Sequence, residues 1–238
     1  MIDNENERIG DNDKVTNVTD VENVANDSNE NPDKKTKKRS LGREIFSWIV
    51  TIAGAVVLAY LITTFVIVNA VVPTGSMLDT IKEQDRLVAL RLSYVFGEPE
   101  RYDIAVFKYP DDENTLYIKR VIGLPGEKVT IKKDDKGDTK IYINDSTEPL
   151  RDDFIKEPME LLGKDENGNI TYNQELTYNV PEDCYFMLGD NRNNSKDSRF
   201  WDSTYYVHKD KILGKALFKY FPSIEWIDNV KEWWNFTK

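Results

Sequence analysis

Apolar and polar positions fall into three regimes along the chain. Residues 1–33 show no hydrophobic period, with ten acidic and two basic side chains among many Asn and almost no aromatics. Such a segment cannot bury enough apolar surface to offset its ordering entropy, so the pattern predicts disorder. Six Lys or Arg follow between Lys34 and Arg43, and then no charged residue occurs from Ile45 to Leu78. The most apolar part, "IFSWIVTIAGAVVLAYLITTFVIV", runs from Ile45 to Val68. At ~1.5 Å per residue a helix of that length extends ~36 Å, enough to cross a ~30 Å hydrocarbon core. A core helix is seldom uncharged for so long, and a cleavable signal sequence has a shorter apolar region near the N-terminus. The expected division is an acidic tail with a basic flank (1–40) and a membrane anchor (41–72). The flank predicts that the N-terminus lies in the cytoplasm and everything after Val72 outside.

Beyond the anchor the pattern shortens to strand length. "DRLVALRLSYV" and "DIAVFKYP" are brief apolar runs rich in β-branched and aromatic residues, which predicts strands. "TLYIKRVIGLPGEKVTI" reads as two strands around a Gly-Leu-Pro-Gly turn, and "KVTIKKDDKGDTKIYIND" as a hairpin turning at Asp134 to Asp138. Residues 148–179 are polar and irregular; with their flanks, about 145–182, they are expected to form a variable cap or insertion. "CYFMLGD" and "KILGKALFKYFP" supply further strands. The expected class is mainly β: one N-terminal transmembrane helix, then an external antiparallel β-sheet domain (73–238) with a small cap.

Charge and composition narrow the partners and the chemistry. A net charge of −10 and a pI near 4.8 argue against nucleic acid, which needs a basic stripe. The single cysteine, Cys184, can form no intramolecular disulfide, and within "DCYFMLGD" it reads as a small core residue. The single histidine, His208, stands in the polar context "YVHKDK", where a solvated turn position is the plainer reading. With one His and one Cys the chain has no clustered zinc ligands, and "DENGN" at Asp165 misplaces the glycine of a calcium loop. There is no phosphate-binding glycine-lysine motif.

Against that background "VNAVVPTGSMLDTI" stands out, because Ser76 sits between Gly75 and Met77 only four positions after the apolar run ends at Val72. Ser76 is either a loop hydroxyl or a nucleophile. As a nucleophile it calls for a lysine or a carboxylate as base, since the one histidine reads as a solvated turn residue. A lysine can serve if its amine is neutral near pH 7, which requires desolvation or a neighbouring positive charge. Lys119 in "LYIKRVI" is the lysine most embedded in apolar sequence. Strand alternation puts it on one face with Tyr117 and Val121, while Leu116, Ile118, Arg120 and Ile122 share the other. Arg120 cannot be the base, since its guanidinium does not lose its proton. An edge-strand or snorkelling lysine fits the same pattern.

In order, "PTGSMLDTI", "DRLVALRLSYVFGEPERYDIAVFKYP", "YIKRVIGLPGEKV" and "GDNRNNSKDSRFW" resemble the blocks of bacterial type I signal peptidases, over most of the chain from Gly42 to Pro222. The resemblance implies a largely antiparallel β fold with a catalytic core and a variable cap. It also implies cleavage of signal peptides from exported preproteins by a Ser–Lys dyad, without metal or cofactor, at a lipid bilayer. Ser76 matches the nucleophile and Lys119 the general base. Thr74 matches a hydroxyl that forms the oxyanion hole with the Ser76 N–H, and Ser195 a serine that orients the lysine. Asp190, Arg192, Asp197 and Arg199 match charges that brace the active-site loop. Asn193 stands where many relatives have Asp, and "WDSTYYV" is longer than the usual segment after the Trp.

From Val72 to Ser76 the chain reaches at most ~14 Å, so such a nucleophile is expected to work near the lipid surface. Two other readings fit parts of the pattern. An anchored adhesion or scaffold domain accounts for the span and the strands, but not for the paired serine and lysine blocks. A self-cleaving Ser–Lys regulator accounts for the pair, but not for the span.

Overall fold

The computed structural model describes residues 41–227; the expectations for the acidic tail and for Lys34 to Arg39 lie outside them. The chain divides into two compact units, Met1–Phe46 and Ser47–Lys238. Of the first, only the opening turns of helix α1 (Leu41–Leu61) are described.

No residue of α1 is buried by protein, and Leu41–Val66 is long and apolar enough to cross a membrane. The apolar run does not stay helical to Val72, however. After a wider turn over Ile62–Val66 it becomes strand β1 (Ile67–Val71), antiparallel to β2 (Arg86–Leu90). The helical part is thus shorter than the 41–72 anchor read from hydropathy. "VIVNAVV" is rich in β-branched residues, and Val68, Ala70 and Val72 turn into the protein core rather than outward. Hydropathy alone cannot tell a lipid-facing residue from a core-facing one.

Strands β3 (Ile104–Tyr109), β4 (Asp112–Gly123), β10 (Cys184–Leu188), β11 (Val207–His208), β12 (Ile212–Phe221) and β13 (Glu225–Trp226) complete the main sheet. Its order is β1-β2-β12-β3-β4-β10-β11, with β13 paired to β12, and every pairing is antiparallel. One face packs Met77, Ile81, Leu87, Ile104 and Ile118; the other packs Phe107, Tyr185, Met187 and Trp201. The second half of β4, Ile118 to Gly123, is buried throughout, which is why it lacks a polar alternation.

A second sheet orders β6 (Thr139–Ile143), β5 (Lys128–Lys133) and β9 (Glu175–Asn179). The turn before β5 closes with Glu127 N–H donating to Leu124 O, and Gly126 takes φ +75°, a conformation open to glycine at no side-chain cost. The β5–β6 hairpin turns where the sequence predicted, with Asp134 N–H donating to Asp138 O. Residues 148–179 are not irregular throughout. They contain a small hairpin, β7 (Leu162–Lys164) with β8 (Ile170–Tyr172), and all of β9. In strand β9 "ELTYN" turns Leu176 and Tyr178 inward and the remainder out, the alternation of a half-buried strand, which the reading of this stretch as irregular overlooked. The longer "WDSTYYV" seats Trp201 against Phe107 and Tyr109, while Tyr205 stacks edgewise on Tyr178.

Candidate active site

Ser76 lies in the loop that follows β1. Backbone bonds from Val72 N–H to Asp85 O and from Gln84 N–H to Val72 O close the base of that loop, and Met77 and Ile81 anchor it in the core. Lys119 projects from the buried half of β4 and pairs across to Ala105 on β3. Its Nζ lies 2.8 Å from Ser76 Oγ, with Ser76 8% and Lys119 3% exposed. The amine also donates to Ile118 O at 3.1 Å and sits 5.0 Å from the ring centre of Tyr117, the neighbour that strand alternation assigned to its face. No carboxylate pairs with Lys119 among the described residues, and burial pulls its pKa from 10.5 down to about 8, against the fields of Asp197 and Asp190.

A groove of about 580 Å³ opens over this pair, walled by Asn69 to Val71 of β1 with Val72 just beyond it, and by Thr115 to Lys119 of β4. Strand β10 covers β4 only at Arg120, Val121 and Gly123. On that side Thr115 to Lys119 therefore present an unpaired strand edge. Thr74 lines the same groove, exposed, with its Oγ1 3.4 Å from Ser76 Oγ.

The loop after β10 supplies the support. Asp190 Oδ1 and Oδ2 accept two hydrogen bonds from Arg120, at 2.8 and 2.6 Å, and Oδ2 also accepts from Thr80 Oγ1 at 2.6 Å. One buried carboxylate therefore ties the serine loop to the residue next to Lys119. Asp197 holds Arg199 through both carboxylate oxygens at 2.9 Å and accepts from Gly189 N–H. Arg192 differs from its neighbours. It donates to Gly189 O and lies over Phe154, without a carboxylate hydrogen bond among the described residues, and burial lowers its pKa to about 10.

Ser195 is buried beside this loop, but among the described residues its Oγ has no hydrogen-bond partner, Lys119 included. Gly189 is packed so closely that a Cβ there would lie 2.4 Å from Ser76 O and 2.2 Å from Ser195 Oγ; only glycine fits. Asn193 uses both ends of its amide, accepting from Glu160 N–H and donating to Pro158 O, and so fastens the 158–160 segment. A carboxylate has no donor for the second bond. His208 is exposed on β11, at the opposite end of the strand order from β1. Cys184 is half-buried, and its thiol is pushed up by burial.

Sequence reasoning missed Asn191. Its Nδ2 donates to Gly75 O at 2.9 Å and its backbone N–H to Ser76 O at 3.1 Å. Its neighbours in "GDNR" carry the conspicuous charges, and nothing in the pattern marks a neutral amide as a contact of the serine loop.

Among known proteins, residues 45–221 match the family model described as signal peptidase, peptidase S26. A signal peptidase I of Leptolyngbya laminosa is 38% identical over 180 residues, spanning 72% of this chain and 77% of its own. A signal peptidase IB of Staphylococcus aureus strain COL is 32% identical over 193 residues, 79% of this chain and 95% of its own. A solved signal peptidase I from Enterococcus faecalis V583 is 32% identical and covers 49% of this chain and 95% of its own, with a TM-score of 0.36.

Proposed function

We propose, from the premise that this chain belongs to the signal peptidase family, peptidase S26, and is a serine peptidase, that Ser76 and Lys119 form its catalytic dyad. The observation that carries the proposal is the 2.8 Å approach of a buried lysine, free of carboxylate partners, to the serine hydroxyl. Neutral Lys119 takes the Ser76 proton as Oγ attacks the scissile carbonyl. The tetrahedral oxygen is held by Ser76 N–H and Thr74 Oγ1. Protonated Lys119 then gives its proton to the leaving amine as the C–N bond breaks, leaving an ester on Ser76. The again neutral amine deprotonates a water, which attacks the ester and restores the hydroxyl. Ser195, whose Oγ crowds Gly189 from the same side as Ser76 O, orients the amine when it is neutral; Asp190, Arg192, Asp197 and Arg199 hold the surrounding loop.

The substrates are preproteins bearing signal peptides. The two unpaired edges of the groove, on β1 and β4, suit an extended segment that adds as a strand, with small side chains facing the walls. Helix α1 anchors the enzyme in the bilayer with residues 1–40 on the cytoplasmic side. The domain from β1 onward works outside, and residues 145–182 act as its variable cap.

Purified full-length protein incubated with a signal-bearing precursor should release one fragment whose new N-terminus follows the signal peptide. Ser76→Ala should abolish that product while keeping the fold. Undiminished cleavage by Ser76→Ala would remove Ser76 from the mechanism. Protease added outside intact cells should digest the β domain and spare the tail, and the reverse would overturn the orientation.

A further inference from the structure

The oxyanion donor proposed above is a backbone N–H, and its direction must be fixed by something other than Ser76 itself. Gly75 O and Ser76 N–H belong to one planar trans peptide unit, so they point in opposite directions. The residue before that unit is glycine, whose backbone can turn where other residues cannot. A Cβ at Gly75 would come within 2.9 Å of Leu78 Cδ1 and 3.0 Å of Glu83 Oε1, so a stiffer residue does not fit there without displacement. The peptide therefore needs an outside anchor.

We propose that Asn191 is that anchor: a positioning residue whose Nδ2, at 2.9 Å from Gly75 O, aims Ser76 N–H into the catalytic groove. This inference rests on the reading of Ser76 as the nucleophile. Gly75 and Ser76 line the groove and Asn191 does not. Pulling the carbonyl towards Asn191 turns the N–H the other way. Among the hydrogen bonds of the described residues Ser76 N–H donates to none, as a donor kept for a transition-state oxygen requires.

The anchor is itself rigid. Asn191 is 3% exposed, its N–H holds Ser76 O, and its carbonyl accepts from Asn194 N–H. The preceding residue is the Asp190 that grips Arg120 and Thr80. The amide can face Gly75 O only with its nitrogen, because its oxygen would meet another acceptor. The other bond to Gly75 O, from Leu78 N–H at 3.2 Å, belongs to the local turn and moves with it. Only Asn191 ties the peptide to the body of the sheet.

The test uses the full-length protein in detergent micelles with a cleavable signal-peptide substrate. A matched peptide with a reduced, uncleavable scissile bond and a peptide aldehyde, which forms a tetrahedral adduct on Ser76, serve as probes. In Asn191→Ala, kcat should fall about ten- to a hundredfold, less than the full loss of an oxyanion donor. KM and affinity for the uncleavable peptide should stay within about twofold, while aldehyde affinity falls by the same factor as kcat. The pH dependence set by Lys119 should not move. Asn191→Asp, equal in size but lacking the donor, should lose at least as much. Wild-type kcat in either folded variant would overturn the proposal, as would equal losses for the aldehyde and the uncleavable peptide. Failure of both variants to fold would do so too, since it would make Asn191 structural. Ser76→Ala run alongside keeps the underlying reading separate: if that variant still cleaves, the dyad fails whatever Asn191 does.

Discussion

Two buried cations sit side by side on β4 and are treated in opposite ways. Arg120 points into the loop after β10, where Asp190 accepts two of its N–H groups and both side chains are almost wholly buried. Lys119, one residue earlier and on the other face, meets a serine hydroxyl, a carbonyl oxygen and an aromatic ring. The paired cation fixes structure. The unpaired one bears the desolvation cost in its own proton affinity, dropping to about 8. The same burial thus serves as a brace on one face and, in the proposed dyad, as the source of a base on the other. The nearby Asp190 and Asp197 fields oppose the drop, so it is their commitment to Arg120 and Arg199 that leaves burial dominant.

The comparison is broken most sharply by exchanging the unpaired cation. Lys119→Met should reduce precursor cleavage by more than ~10³-fold, because the general base is gone. Its melting temperature should stay level or rise, since an apolar side chain of similar length replaces a desolvated amine. Lys119→Arg should be as inactive, because arginine keeps the charge and cannot accept the proton. Turnover near wild type in either folded variant would exclude Lys119 as the base.

Removing the partner on the other face should act on stability first. Asp190→Ala leaves Arg120 buried and uncompensated, which costs about 3–5 kcal/mol when a buried pair is broken. For a domain of this size that lowers the melting temperature by on the order of 10 °C. A melting curve unchanged in Asp190→Ala would mean that the two cations do not differ in the way described.

Titration sharpens the contrast. In the proposed dyad Lys119 acts when neutral, and its pKa is lowered to about 8, so kcat/KM should rise about tenfold per pH unit below 8 and level off above it. The limb comes from gain of the base form with rising pH. A flat profile between pH 6 and 9 would contradict a titrating lysine.

The smallest effect concerns Ser195. A buried hydroxyl without a partner costs about 1–3 kcal/mol, so Ser195→Ala should not lower stability. A fall in kcat of about tenfold at constant KM would then report orientation of the amine alone. Unchanged kcat would leave Ser195 outside the mechanism, with the Ser76–Lys119 pair unaffected.

The order of most strands in the chain, the β5–β6 turn and the faces of β4 could be read from residue order, because alternation, turn residues and burial on both faces are local signals. Ser76 and Lys119 stood out in the sequence as candidates, since a serine on glycine and a lysine in apolar sequence are unusual in themselves. Three things were decided only by the tertiary structure. The apolar run splits at Val66 into helix and strand because a partner, β2, is available to pair with "IVNAV"; lipid and core look alike to a hydropathy scale. The alternation of "ELTYN" marks a strand, but its place beside β5 is set only by the free edge that β5 offers. Asn191 reaches Gly75 across 116 positions of sequence. A neutral amide carries no charge, period or turn signal to announce such a contact, which exists only where two distant loops are brought within hydrogen-bonding distance by the packed sheet.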